Sequence, residues 1–266
     1  MFRTSNPVLN EKTFASENWG GINDDLARAE GRGVQTVASA STMTIRGCAI
    51  KTGILLTLCT ASAAGVWGYL ASGQAAIPAG ALIAVGAIVA TILSFVICFA
   101  RKTVAYIAPV HALFEGVFLG AISFLFAQRY EGIVGQAVAL TLGIAFALAI
   151  AFGFGLIRIG STLARVVAVA TMGVMFFYLA NLVLNLCGIT ALNMVHKSGP
   201  IGIGFSLFVI ALASFNLVLT FQEAEEGVAM GAPKSMEWYI GFGVLVELAW
   251  LYIEVLKLLA KLRGKD

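Results

Sequence analysis

Two carboxylates separated by two helical turns stand out near the end of the chain. Glu247 and Glu254 are seven residues apart in an otherwise apolar block, so a helix places both on one stripe. Lys257 and Lys261 continue that stripe, and Lys257 is close enough along the helix to pair with Glu254. Carboxylates in an apolar helix must meet water, a cation, a proton or each other. The spacing indicates either a protonation switch or a simple Glu254–Lys257 ion pair.

A second ionisable pair lies in another apolar block, where His111 and Glu115 are four residues apart. That spacing puts both side chains on one face of a helix. Ionisable groups inside a membrane helix are costly, so this pair either bonds within the helix bundle or lines an ion pathway. Gly116 and Gly120 follow directly, in the small-xxx-small spacing that allows two helices to approach closely.

Polar and acidic side chains also gather toward the end of the block that precedes the Glu247 block. We expect this helix to end near Phe221. Gln222 and Glu223 would then lie at the cytoplasmic mouth of a pathway through the bundle. An acidic cluster there would attract cations, although a solvated loop is the simpler interpretation. Within a span, polar side chains more often join helices by hydrogen bonds, as we expect for Tyr178, Asn181 and Asn185 in an earlier block. The polar residues of the later block and its loop are Asn216, Thr220, Gln222, Glu223, Glu225 and Glu226.

These residues lie in a succession of apolar blocks that are long enough to cross a bilayer. Hydrophobic residues make up 59% of the chain and charged residues only 12%, and the mean hydropathy is +0.92. A helix spans the hydrocarbon core with about 20 apolar residues. The blocks do not alternate with a period of two, which excludes a β-barrel. We predict an all-α membrane protein with seven transmembrane helices, at roughly 52–71, 76–99, 104–127, 133–156, 166–186, 200–221 and 238–256.

The chain divides by composition into a polar tail, a mixed segment, the apolar blocks and a basic end. We expect 1–33 to be a flexible cytoplasmic tail, because it has no apolar run and lacks the features of a signal peptide. The mixed segment 34–51 is expected to lie at the membrane interface as an amphipathic helix. Residues 52–260 form the predicted seven-helix transmembrane domain, and 261–266 form a short basic tail.

The distribution of Lys and Arg predicts the orientation. With the N-terminus in the cytoplasm, most basic residues of the loops lie inside, which favours a multi-pass protein of the plasma or inner membrane with that orientation. The basic residues at the C-terminal end conflict with this, because seven spans place them outside. A re-entrant last segment would bring them inside, but its length favours a full span.

No pattern in the chain indicates an enzyme. It has no H-E-x-x-H, Walker A or G-x-S-x-G motif, and its Cys and His residues lack metal-binding spacing. The cysteines lie in or beside apolar blocks and are expected to pack as small hydrophobic residues. We therefore expect no enzymatic activity, no cofactor, no certain metal site and no nucleic-acid partner. The lipid bilayer is the partner that we expect.

Two segments carry a resemblance to a known family. Residues 221–239 read FQEAEEGVAMGAPKSMEWY, and 251–259 read LYIEVLKLL. Both resemble the Bax inhibitor (transmembrane Bax inhibitor motif-containing) family, most closely its bacterial branch with an extended N-terminus. Supporting matches begin at Ser5, Thr52, Glu115 and Tyr130 and extend the resemblance over most of the chain.

The resemblance implies a seven-helix fold whose last helix is central and surrounded by the other six. It also implies a pH-sensitive calcium leak, closed on the cytoplasmic side by two acids, one late in helix six and one in helix seven. Glu254 falls at the position of the helix-seven acid. The helix-six acid is missing, since the sequence has Gln222 where relatives have Asp, and the nearest acid is Glu223. We expect ionised Glu254 to bond to Gln222, Thr220 or Arg101.

Two functions therefore stay open. The first is passive cation flux, with calcium as the transported ion, gated by protonation of intramembrane carboxylates. The second is a non-conducting regulator that binds another membrane protein, such as a membrane protease or a stress factor. For the first, the expected pH sensor and gate residues are Glu254, Glu247, Gln222, Glu223 and Thr220, and the expected ion-pathway residues are Glu115, His111 and Asn216.

Overall fold

The structure, a computed structural model, describes residues 42–186 and 198–264, without the side chains of residues 182, 185 and 186. The predicted tail, 1–33, and the first part of the predicted interfacial segment lie outside the described residues. Within the described residues the chain forms seven long α-helices and one short 3₁₀ turn, Arg101–Thr103. The helices are α1 (Ile45–Ala71), α2 (Ala79–Phe99), α3 (Val104–Arg129), α4 (Ile133–Gly153), α5 (Ser161–Leu186), α6 (Pro200–Ala229) and α7 (Met236–Leu262).

The first helix begins earlier than the hydropathy pattern predicts. Thr44 is its N-cap, and the Thr44 hydroxyl accepts a hydrogen bond from the Gly47 amide. This cap starts the helix at Ile45, because it satisfies one of the amides that the first turn leaves open. Residues 45–51, expected to belong to the interfacial segment, are therefore the first two turns of α1.

The sixth helix corrects a prediction. We expected it to end near Phe221 and the acidic residues after it to form a loop, but α6 continues to Ala229. The five residues after Phe221 are Gln, Glu and Ala, which favour a helix. The helix ends where Gly231 adopts a φ of 67°, a conformation that glycine takes without strain. Gln222 and Glu223 therefore lie within the helix and not at its end.

Most of the helices carry a surface suited to lipid. Among the described residues, six helices, α1 to α6, are long and apolar enough to cross a membrane. Large apolar side chains on them are uncovered by the rest of the protein, for example Phe99, Phe146 and Phe176. In water such surface would be unfavourable, whereas in a bilayer it meets hydrocarbon. The chain is thus a multi-pass membrane protein.

The seventh helix has a different surface. α7 is one uninterrupted helix, so a re-entrant hairpin is excluded, and most of its side chains are buried. Its backbone packs closely against α1, α3, α4 and α6, while α2 packs mainly on α3 and α5 on α6. The last helix is therefore the most buried one. The resemblance implies that the other six helices surround it, whereas these backbone contacts show close packing by four of them.

The contact between α1 and α3 explains the paired glycines. A Cβ atom at Gly116 would collide with the Cys59 carbonyl, and one at Gly120 would lie 2.5 Å from the Ala63 carbonyl oxygen. The two backbones approach so closely that only hydrogen fits at these positions. The predicted small-xxx-small contact is therefore confirmed, with α1 as the partner of α3.

Candidate functional site

The acidic side chains of α7 lie at three heights along the helix. Glu237 is in the first turn, at the Met236 end, Glu247 is near the middle, and Glu254 is toward the Leu262 end. Glu237 and Glu254 are each only 1% exposed. A buried carboxylate is unfavourable unless it is paired or protonated, so the partners of each one decide what it can do.

Glu254 is held from two directions. The Tyr178 hydroxyl of α5 donates a hydrogen bond of 2.7 Å to Glu254 Oε1, and Lys257 Nζ lies 2.8 Å from the same oxygen. The Lys257 ammonium also lies 4.7 Å from the centre of the Tyr178 ring, within the range of a cation–π interaction. Glu254 therefore forms the ion pair that the sequence offered as one alternative, and it also joins α5 to α7.

Lys261 extends this polar group by one turn toward the Leu262 end. Its side chain is 8% exposed, and its Nζ donates to the Gly202 carbonyl oxygen at 2.9 Å and to the Ser206 hydroxyl at 2.8 Å. Both acceptors lie in the first turns of α6. Because a buried ammonium needs such acceptors, Lys261 fixes the end of α7 to the start of α6.

Glu247 faces α6 instead. The Thr220 hydroxyl donates a hydrogen bond of 2.8 Å to Glu247 Oε1. The second oxygen, Oε2, is buried and has no hydrogen-bond partner among the described residues. A carboxylate oxygen left without a donor is unfavourable, and a proton or a cation would relieve it.

Gln222 contacts the linker between α4 and α5. Its Oε1 accepts from the Ile159 amide at 2.8 Å, and its Nε2 donates to the Ile159 carbonyl at 3.2 Å. Next to it, Arg158 forms an exposed salt bridge with Glu225. Glu223 is half-buried on the same stretch of α6. These contacts hold α6 against the linker. Both polar atoms of the Gln222 side-chain amide are bonded to backbone groups.

The expected partners of Glu254 were therefore wrong for Thr220 and Gln222, and Arg101 lies over the ring of Tyr239, near the Met236 end of α7. Thr220 donates to Glu247, which lies two turns nearer the Met236 end than Glu254, and Gln222 binds Ile159. Tyr178 and Lys257 bond to Glu254 instead of the donors that were expected late in α6. Because α6 and α7 are antiparallel, residues late in α6 face the first half of α7 and cannot reach Glu254.

His111 and Glu115 form a separate group between α2, α3 and α7. His111 is 1% exposed, and its Nε2 lies 2.9 Å from the Ser94 hydroxyl of α2 and 3.8 Å from Glu115 Oε2. The ring of Phe242 in α7 meets the imidazole edge-on at 4.9 Å. The Glu115 side chain is 14% exposed, so it faces the bundle as predicted.

Asn216, the third expected pathway residue, joins α6 to α5. Its Nδ2 donates to the Thr171 hydroxyl at 2.8 Å and to the Leu212 carbonyl at 2.9 Å. This is the helix-joining role that polar residues commonly have inside membrane proteins. The structure thus brings Thr220 and Glu247 together, whereas Asn216 and the His111–Glu115 pair each have partners of their own.

Glu237 is a buried acid that the sequence analysis did not single out. Its Oε1 accepts from both the amide and the hydroxyl of Thr44, each at 3.1 Å. The Met43 amide donates to the Ala232 carbonyl at 2.7 Å, and Thr42 forms an isolated β-bridge with Pro233. The start of α1 is therefore fastened to the α6–α7 turn. The only sequence signal was that Glu237 lies in the GAPKSMEWY run of the family resemblance.

Among the described residues, no three His, Cys, Asp or Glu side chains are grouped so that they could hold a metal ion. The carboxylates of α7 are spaced along the helix, with apolar side chains such as Leu248 and Leu251 between them.

A protein-family model described as Bax inhibitor 1 like matches residues 6–264, nearly the whole chain. A search of curated proteins found no match. A search of solved structures found none either.

Proposed function

Because the chain belongs to the Bax inhibitor 1-like family, we propose that it is a pH-sensitive leak channel that lets calcium cross the membrane passively. The activity is the one that the family resemblance implies, and the carboxylates of α7 are its proposed sensors. The membrane we propose is the bacterial plasma or inner membrane, with the N-terminus in the cytoplasm and α7 as a seventh span enclosed by the others. A role in the response to stress belongs to the same proposal.

The observation that carries the proposal is the environment of Glu247. One of its oxygens accepts from Thr220, and the other is buried with no hydrogen-bond donor among the described residues. An ionised carboxylate in this position attracts a cation or a proton, because either one compensates the missing donor. Glu223 adds negative charge on the same side of the bundle. A cation passing along α7 would find its most favourable contact here.

Glu254 supplies a second, stabilising contact that depends on charge. While Glu254 is ionised, Tyr178 of α5 and Lys257 of α7 both bond to the same oxygen. Lys261 is a further cation near this carboxylate. Protonation of Glu254 would remove the ion pair and weaken the hydrogen bond from Tyr178, so the contact between α5 and α7 would loosen. With Gln222 in place of a helix-six acid, this contact depends on a single acid, so its own response to protonation should be shallow.

The alternative, a non-conducting regulator of another membrane protein, is favoured by a different observation. The polar groups lie in separate clusters, and each cluster joins helices through internal bonds, as Asn216 joins α6 to α5. Such clusters stabilise a bundle without conducting. The uncovered apolar side chains of α2 and α5 would then be the surface that meets the partner.

Calcium flux separates the two functions. The purified protein is reconstituted into vesicles containing a calcium-sensitive dye, and dye response to external calcium is followed at about pH 5 and about pH 8. The proposal predicts flux that differs between the two values and that changes in Glu247→Gln. A matched control is Glu131→Gln, which alters an exposed acid in the α3–α4 turn. Folded wild-type protein that gives no flux at either pH would overturn the channel and leave the regulator.

A further inference from the structure

A cleft of about 450 Å³ lies between α1, α3, α4 and α7, away from the carboxylates of the proposed gate. Buried residues of α3 and α7 form its floor, including Ser123, Ala249 and Tyr252. Its volume falls in the range of small-molecule sites, about 300–1,000 Å³, which are typically apolar with a few placed polar groups.

The cleft opens toward the bilayer. Its uncovered lining residues are on the two walls, Thr60 and Ala64 on α1 and Val138 and Leu142 on α4. Both walls are helices that are long and apolar enough to cross a membrane. All of the residues lining the cleft are uncharged, so it offers nothing to an ionic headgroup. A ligand would therefore enter from the hydrocarbon.

One hydroxyl in the cleft lacks a partner. Thr141 of α4 is 5% exposed, and its Oγ1 is buried without a hydrogen bond in the described structure. A threonine inside a helix usually bonds to the carbonyl four residues earlier, as Thr60 does to Leu56 in the facing wall. Thr141 lies about 12 Å from the start of α4, too deep for a headgroup or bulk water to reach it. An unsatisfied hydroxyl at that depth points to a ligand atom.

The other hydroxyls at the floor of the cleft already donate their hydrogens to partners within the protein. Ser123 donates to the Leu119 carbonyl at 2.6 Å, and Ser123 Oγ and Tyr252 Oη are 2.6 Å apart. Since Ser123 has a single hydrogen, Tyr252 must be the donor between them. The Thr141 hydroxyl is therefore the one available to donate, and the complementary ligand group is an acceptor.

We propose that this cleft binds an apolar molecule from the bilayer through one carbonyl oxygen, which accepts a hydrogen bond from Thr141. The hydrocarbon body of the ligand fills the space between α1 and α4, and its carbonyl satisfies the buried hydroxyl. Trp67 of α1 lines the same cleft and provides a fluorescent reporter of binding.

The test compares two brominated probes, because bromine quenches tryptophan fluorescence on contact. 12-Bromo-2-dodecanone carries the carbonyl, and 1-bromododecane lacks it. We expect the ketone to quench the full-length protein in lipid nanodiscs at about tenfold lower concentration, the gain of one buried hydrogen bond. The saturable part of the quenching should be lost in Trp67→Phe, which leaves the other tryptophans in place.

Two pairs of variants locate the site. Thr141→Val removes the hydroxyl and keeps the shape, so the preference for the ketone should fall to about onefold, whereas Thr57→Val, on the outer face of α1, should keep it. Val138→Phe places a ring in the cleft and should raise the concentration needed for either probe. Val169→Phe, 71% exposed on α5, should not change it.

Three results would overturn the proposal. These are equal quenching by ketone and alkane in the wild-type protein, a ketone preference that survives Thr141→Val, and quenching unaffected by Val138→Phe in protein that still unfolds cooperatively. None of them depends on calcium flux, so the ligand site and the proposed channel can fail independently.

Discussion

The Tyr178 hydroxyl and the Glu254 carboxylate meet at 2.7 Å between α5 and α7. Apart from this bond, α5 packs mainly on α6. This hydroxyl therefore helps to link an outer helix to the most buried one, and the strength of its bond depends on the charge of Glu254. Hydrogen bonds to an ionised group are about twice as strong as neutral ones.

Removal of that hydroxyl gives the first prediction. Tyr178→Phe keeps the ring over Lys257 and deletes only the donor, so the free energy of unfolding should fall by about 1.5–3 kcal/mol, the usual value for a hydrogen bond to a charged group. Denaturant titration in detergent micelles measures it. Tyr106→Phe, whose side chain is 82% exposed, is the control and should stay within about 0.5 kcal/mol of wild type. Equal effects of the two changes would show that the Tyr178 bond adds no stability.

The charge of Glu254 gives the second prediction. Glu254→Gln keeps the shape of the side chain and removes its charge, so the ion pair with Lys257 is lost and the dependence of calcium flux on pH should change. Flux measured in vesicles at several pH values tests it, with Glu131→Gln as the variant that should keep the wild-type profile. An unchanged profile in folded Glu254→Gln protein would leave Glu254 as a structural partner of Tyr178 and Lys257.

The contact between α6 and α7 gives the third prediction. Thr220 and Glu247 share a bond of 2.8 Å, so Thr220→Val and Glu247→Met, which remove the donor and the acceptor, should not have additive effects on unfolding. We expect a coupling energy of about 0.5–3 kcal/mol in a double-mutant cycle. Additivity within about 0.3 kcal/mol would mean that the two side chains act independently.

The helical spans could be predicted from the sequence because each is set by a local property, hydropathy over about 20 residues. The end of α6 could not, since a polar helical extension beyond the apolar part looks like a loop to a hydropathy pattern. The Glu, Gln and Ala residues in 222–229 do carry the correct signal, because these residue types favour a helix.

The candidate site was predictable only within single helices. The pairing of Glu254 with Lys257 follows from their spacing, as does the proximity of His111 to Glu115. The bond from Tyr178 depends on which helix packs beside α7, which no local pattern gives. Likewise, Glu237 was missed because its partner, Thr44, is 193 residues away in the chain.

The α1–α3 contact gives the fourth prediction. Gly120→Ala should lower the free energy of unfolding by about 1–3 kcal/mol, because its Cβ would press on the Ala63 backbone and the helices would have to separate. Gly143→Ala in α4 is the matched control. A Cβ there meets no atom within 4 Å, so the change should be neutral or stabilise by up to about 1 kcal/mol. Equal destabilisation by both would rule out close packing as the reason for Gly120.

The contact of Gln222 with the linker gives the fifth prediction. Gln222→Ala removes both bonds to Ile159, so the Ile159 amide should exchange its hydrogen with solvent faster, by about tenfold or more if the lost contact is worth about 1.4 kcal/mol. Exchange followed by mass spectrometry of the linker peptide measures this. Glu226→Ala, an exposed neighbour on α6, should leave the rate unchanged. Exchange at the wild-type rate in Gln222→Ala would contradict the contact.

α7 is anchored at both of its ends. Glu237 binds Thr44 at the Met236 end, and Lys261 binds Gly202 and Ser206 at the Leu262 end. A piston-like displacement of α7 along its axis would break both sets of bonds together, whereas a tilt of α5 away from α7 would break the Tyr178 contact and leave both anchors in place. If the protein opens and closes, α7 is therefore the helix that stays fixed, and α5 beside it is the helix that moves.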